Sequence, residues 1–128
     1  MNKAQVANEF LILLGVMCLS LVLFLYATSD EIKSLVFEKE LHAVRDIGFV
    51  IQNELFFAAN VNDGYYREFM VPDKHDGIEY SITINDRTLI VISTRSNIEQ
   101  VFYVPKVQGN IQKGINNISK SGGVIYLN

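Results

Sequence analysis

Gln5-Val6-Ala7-Asn8-Glu9-Phe10-Leu11-Ile12-Leu13, continuing as an uncharged apolar run to Tyr26, is the stretch on which the fold turns. A hydrocarbon core about 30 Å thick needs roughly 17–25 apolar residues in a helix, so Phe10 to Tyr26 is long enough to span or nearly span it. Glu9 stands at the mouth of that run, where a carboxylate costs free energy unless it is paired, snorkels or faces other protein. Lys3 and the starting amine lie on one flank, with Asp30 and Glu31 on the other. This asymmetry predicts a cytoplasmic amino end and an exported remainder. The boundary Tyr26-Ala27-Thr28-Ser29-Asp30 lacks the small residue at the inner position of an ordinary secretory cleavage site. Neither Pro nor Gly occurs between Val16 and Arg45, so the helix is expected to continue past the membrane without a linker.

From Asp30 the pattern becomes amphipathic. Phe37, Leu41, Val44, Gly48, Ile51, Leu55 and Ala58 alternate spacings of four and three, one apolar stripe that needs a cover. Asp30, Glu31, Lys33, Glu38, Lys39 and Glu40 read as a solvated collar. One helix from Gln5 to about Asn60 would be about 80 Å long, which suits a stalk whose first half packs against other copies.

Asn60-Val61-Asn62-Asp63-Gly64 is dense in turn formers and ends the helix. Short strands follow. Tyr65 to Val71 stops at Pro72, and Asp73 to Gly77 reads as a loop. Ile78, Tyr80, Ile82 and Ile84 alternate with polar residues as in a strand buried on one face. Leu89-Ile90-Val91-Ile92 suggests a strand covered on both sides, and Gln100 to Val104 is another, ended by Pro105. Ile115 to Ser119 and Val124 to Leu127, joined through Ser121-Gly122-Gly123, form a closing hairpin. The fold class expected is α+β: a hydrophobic-then-amphipathic helix packed by its second half on a small, meandering antiparallel sheet.

Gln5-x-Ala7-x-Glu9-x-x-x-Leu13, after a short basic leader and ahead of an apolar helix, resembles the class III signal-peptide motif of archaeal type IV pilin-like proteins. The usual form in that family is Gln-x-Ser-x-Glu-x-x-x-Leu after a Gly; Ala4 and Ala7 stand here where Gly and Ser are usual. Looser matches to the family's body are Phe69-Met70-Val71-Pro72, Gly77-x-x-Tyr80-x-Ile82-x-Ile84 and Gly109-x-Ile111-x-x-Gly114-x-Asn116-x-Ile118. The resemblance implies that a prepilin peptidase cuts between Ala4 and Gln5. It thereby divides the chain into a leader (1–4), a membrane and filament-core helix (5–26), its amphipathic continuation (27–60) and a β-domain (61–128). It also implies a pilus assembly platform and other copies of the chain as partners, membrane residence before assembly, an extracellular filament afterwards, and adhesion to surfaces or other cells. Gln5, Glu9 and Leu13 are the assembly residues: a freed Gln5 amine would lie one turn from Glu9, at the helix end that favours an anion. The alternative is a single-span membrane protein whose exported domain binds a partner and does not polymerise.

The remainder bounds the chemistry. At 128 residues, with the apolar helix set apart, there is room for one small domain. A formal charge of −3 argues against direct nucleic-acid binding by the bulk surface. Cys18 is the single cysteine, so no intramolecular disulfide forms. His42 and His75 have no partner at ligand spacing, and Asp73, Asp76 and Asp86 lack the order of a calcium loop, so no metal is expected. Phosphate-loop and nucleophile motifs are absent; neither an enzyme nor a cofactor is expected. Asn117-Ile118-Ser119 is an N-glycosylation sequon. Tyr65, Tyr66, Tyr80, Tyr103 and Tyr126 are candidates for an adhesive face or for half-buried packing.

Overall fold

The computed structural model describes residues 3–128, with side chains from Gln5 onward; Met1 and Asn2 of the leader lie outside the described residues. The chain divides into two compact units, one ending at Phe37 and the other Glu38–Asn128. Helix α1 (Lys3–Asn60) contributes to both.

In the second unit, α1 is followed by β1 (Tyr66–Val71), β2 (Lys74–His75), β3 (Ile78–Asn85), β4 (Thr88–Ser93), β5 (Glu99–Tyr103), β6 (Val107–Gly109), β7 (Gly114–Ser121) and β8 (Val124–Leu127). These make two four-stranded sheets, ordered β1-β7-β8-β6 and β2-β3-β4-β5. The class is α+β, as the sequence predicts, but the single meander is replaced by two sheets, and β6 runs parallel to β8. Pro72 and Pro105 mark the changes of sheet. Each lacks the N–H a ladder needs, so the strand before it stops and the chain crosses over. Consequently β1 pairs with β7, with Tyr66 opposite Ser119 and Val71 opposite Gly114, rather than with its sequence neighbour. Gly109 permits the parallel join, because a Cβ there would collide with the Leu127 carbonyl.

The core lies between the helix and both sheets. Val44, Ile47, Ile51, Leu55 and Ala58 meet Phe69, Val71, Ile118, Ile125 and Leu127 of one sheet and Tyr80, Leu89, Val91 and Phe102 of the other. Each large aliphatic side chain so buried contributes about 1.5–3 kcal/mol over its exposed state. Two sheets wrap a helical face wider than the predicted stripe: Ala43 and Ile47 are buried as well, whereas Phe37 is exposed and Leu41 only half-buried. In β4, Leu89 and Val91 are buried while Ile90 and Ile92 are half-buried, so that strand is fully covered on one side only.

Local chemistry fixes the ends. Lys120 Nζ donates to the carbonyls of Ala59 (2.6 Å) and Val61 (2.8 Å), a cation at the negative end of the helix dipole. Gly122 and Gly123 both have positive φ, as a two-residue type I′ hairpin loop requires. Asp76 and Gly77 do the same between β2 and β3, so the segment read as a loop over 73–77 contains a short hairpin strand.

Candidate assembly helix and processing site

Within the first unit the apolar run is helical throughout, and every side chain from Gln5 to Ala27 is exposed. By length and composition this helix is able to cross a membrane. Its polar atoms are compatible with that: Ser20 Oγ donates to the Val16 carbonyl (2.8 Å) and Thr28 Oγ1 to that of Phe24 (3.1 Å). Such back-bonding satisfies a hydroxyl inside the helix, so neither group needs water.

Gln5, Glu9 and Leu13 follow one another at i, i+4 and i+8 along one side of the helix. Gln5 Nε2 donates to Glu9 Oε1 at 3.4 Å, a long contact between exposed groups. Leu13 is 60% exposed. The backbone of Ala4 lies in the helix, and its side chain is outside the described residues. Asn117 belongs to the other unit, where it is exposed on β7. Its Oδ1 accepts from the Tyr66 hydroxyl at 2.9 Å.

Glu40 is a correction. Expected in a solvated collar, it is 1% exposed. Its Oε2 accepts from Ser93 Oγ at 2.7 Å and from Ser96 Oγ, while the Arg95 Nε lies 3.9 Å from Oε1. The Ser96 hydroxyl, followed by that of Ser93, holds this carboxyl below its ordinary range against the opposing effect of burial. The acid ties the start of the buried helix face to the turn between β4 and β5. Tyr80 is the other perturbed core group: burial, aided by the charge of Asp73, pushes its phenol up to about 12, and its hydroxyl donates to the Pro72 carbonyl.

Also unforeseen is an exposed apolar set on the same helix, Phe49, Val50, Phe56 and Phe57, off the buried stripe. Its signal was present as four large apolar residues outside the three-and-four spacing. The tyrosines divide: Tyr66, Tyr103 and Tyr126 are exposed, Tyr65 is half-buried and Tyr80 is in the core.

Concavities of the β-body are small. One of about 170 Å³ is lined by Gly77, Ile78, Glu79, Thr94 and Arg95, and another of about 220 Å³ by Lys106, Gln108, Gly123 and Val124. Both fall below the roughly 300–1,000 Å³ typical of small-molecule sites. Among the described residues no group of three or more His, Cys, Asp or Glu is gathered as a metal would need.

Compared with known proteins, the chain matches no family model, no curated protein and no solved structure. The architecture itself, a long N-terminal helix with an apolar first part and a second part packed on β-sheets, is pilin-like.

Proposed function

We propose that this chain is a pilin, the structural subunit of an archaeal type IV pilus-like extracellular filament. It polymerises through its N-terminal apolar helix and displays the β-domain for adhesion. The observation that carries the reading is an uncharged apolar segment, exposed on all sides, that belongs to the same helix whose later turns fill the core. Such a segment needs lipid before assembly and other helices after it.

The leader supports the same reading. Cleavage between Ala4 and Gln5 by a prepilin peptidase leaves a new amine at the first helical turn, with Glu9 one turn on. In a filament that amine pairs with the Glu9 of a neighbouring copy, while Leu13 packs in the helix bundle. Phe49, Val50, Phe56 and Phe57 offer further apolar surface to neighbours.

The deciding experiment is the amino-terminal residue of the mature chain, read by mass spectrometry, together with its distribution after shearing of the cells. Gln5 at the terminus and recovery in sheared filaments is the expected result. A mature chain beginning beyond Tyr26 would remove the filament reading. An intact single-span protein that stays wholly in the membrane fraction would favour a non-polymerising exported receptor.

A further inference from the structure

We propose that Asn117 carries an N-linked oligosaccharide that covers the open face of the β1-β7-β8-β6 sheet. The inference rests on the reading that the β-domain is exported, since transfer to a sequon takes place outside the cytoplasm.

Asn117-Ile118-Ser119 is the sole sequon of the chain. On β7, Ile115, Asn117 and Ser119 point to one side by the two-residue period of a strand, and Ile118, fully buried, points to the other. Acceptor amide and sequon hydroxyl therefore share the outward face. Asn117 Oδ1 is engaged by the Tyr66 hydroxyl, and among the described residues its Nδ2 makes no hydrogen bond. The neighbouring Asn116 is a contrast: it is buried, with its amide held by the carbonyls of Gln112 and Gly114.

The surroundings specify the occupant. Across the ladder Asn117 faces Glu68, flanked by Met70 opposite Ile115 and by Tyr66 opposite Ser119, which in turn pairs with Tyr126. Met70, Tyr66, Ile115 and Tyr126 are 70%, 65%, 56% and 40% exposed. Rings and aliphatic surface thus alternate with an amide, a carboxylate and a hydroxyl. Sugar rings present apolar C–H faces edged by hydroxyls, which suit that alternation. A second protein copy seated there would bury the Glu68 carboxylate away from water, at a cost that argues against it.

In the transfer, Asn117 Nδ2 bonds to the anomeric carbon of a lipid-phosphate-linked oligosaccharide. The bond from that carbon to the phosphate oxygen breaks, the lipid phosphate leaves with the electron pair, and one amide proton passes to a base of the membrane transferase. No oxidant or reductant is involved.

The test uses the full chain isolated from the cells that make it. Trypsin cuts after Lys113 and Lys120, isolating residues 114–120. That peptide is expected to carry the added mass of several sugar residues in most copies. The addition is expected to vanish in Asn117→Gln and Ser119→Ala and to persist in Ser119→Thr. In parallel, Ser121→Cys is probed on intact cells with a membrane-impermeant maleimide; Cys18, in the apolar run, provides the background. Surface labelling with an unmodified 114–120 peptide overturns the glycan and leaves export standing. Absence of surface labelling with an unmodified peptide overturns export and the glycan with it.

Discussion

Gly48 is buried in the middle of a helix, where glycine is the poorest ordinary residue, and the ring of Phe102 explains it. A Cβ at this position would overlap that ring, which is 7% exposed and packs edge-on against Phe49 at a centroid distance of 5.4 Å. Gly48→Ala has two opposed consequences. Helix propensity favours it by about 1 kcal/mol. Displacing Phe102 from a packed site costs about 2–3 kcal/mol, the upper part of the usual range for an added methyl, because the overlap with the ring is severe. The net expectation is a loss of about 1–2 kcal/mol. In a Phe102→Ala background the obstruction is gone, and the same change is expected to stabilise by about 1 kcal/mol. The sign reversal amounts to a coupling of about 2–3 kcal/mol, well above the additivity expected of independent sites. Urea unfolding of the four proteins in detergent, followed by tyrosine fluorescence, measures it through midpoint and slope. An equal gain of about 1 kcal/mol in both backgrounds would refute the claim that Phe102 dictates glycine here.

The other expectations concern the core, the buried acid and assembly. Ile51→Asp places an unpaired carboxylate where exposure is 0%, at a cost of several kcal/mol, and is expected to abolish the cooperative urea transition; Ile82→Asp, on a half-buried position, is expected only to lower its midpoint. A shared, mild shift for both would mean that helix and sheets do not meet at Ile51. Because Glu40 has its pKa depressed below 4.5 in the folded chain, its stabilisation is complete above that pH and is lost as pH falls through the depressed value. Glu40→Gln is thus expected to cost about 1–2 kcal/mol at neutral pH, with the gap to wild type closing on acidification; a gap unchanged down to pH ~3 would contradict the role given to the serine hydroxyls. Glu9→Gln is expected to insert and be processed normally yet give far less polymer in sheared fractions, since shape is kept and charge lost; an undiminished filament yield would end the pairing idea.

Helix α1 was legible because its evidence is local. An uncharged run from Phe10 to Tyr26, the lack of Pro and Gly from Val16 to Arg45, and the turn formers beginning at Asn60 each report on their own few residues. The strand alternation over Ile78 to Ile84 is of the same kind, and its burial fades from Tyr80 to half-buried Ile82 and Ile84, which pack at the margin of the core. The Asp76-Gly77 hairpin was also present in the sequence as a dipeptide suited to two positive φ angles, but two-residue β2 is too short to display any period. Partnership between distant strands has no such trace. Nothing in Tyr66–Val71 names Gly114–Ser121 as its neighbour, because the choice is made by which sheet covers which part of the helix.

The same distinction separates the two acids of the helix. Glu9 draws attention by being charged at the edge of an apolar run, so its oddity is visible one residue away. Glu40 looks ordinary between Lys39 and Leu41, in a segment rich in charge. Its burial follows from helical phase, since it precedes Val44 by four residues and Ile47 by seven, and from hydroxyls contributed more than fifty residues later. Phase alone would have predicted an unpaired buried carboxylate, which is costly enough to be rejected. Only Ser93 at the end of β4 and Ser96 in the turn after it make the position tolerable. Where the folded environment supplies the partner, the sequence pattern of a buried acid and that of a solvated one are identical, and the distinction belongs to tertiary structure.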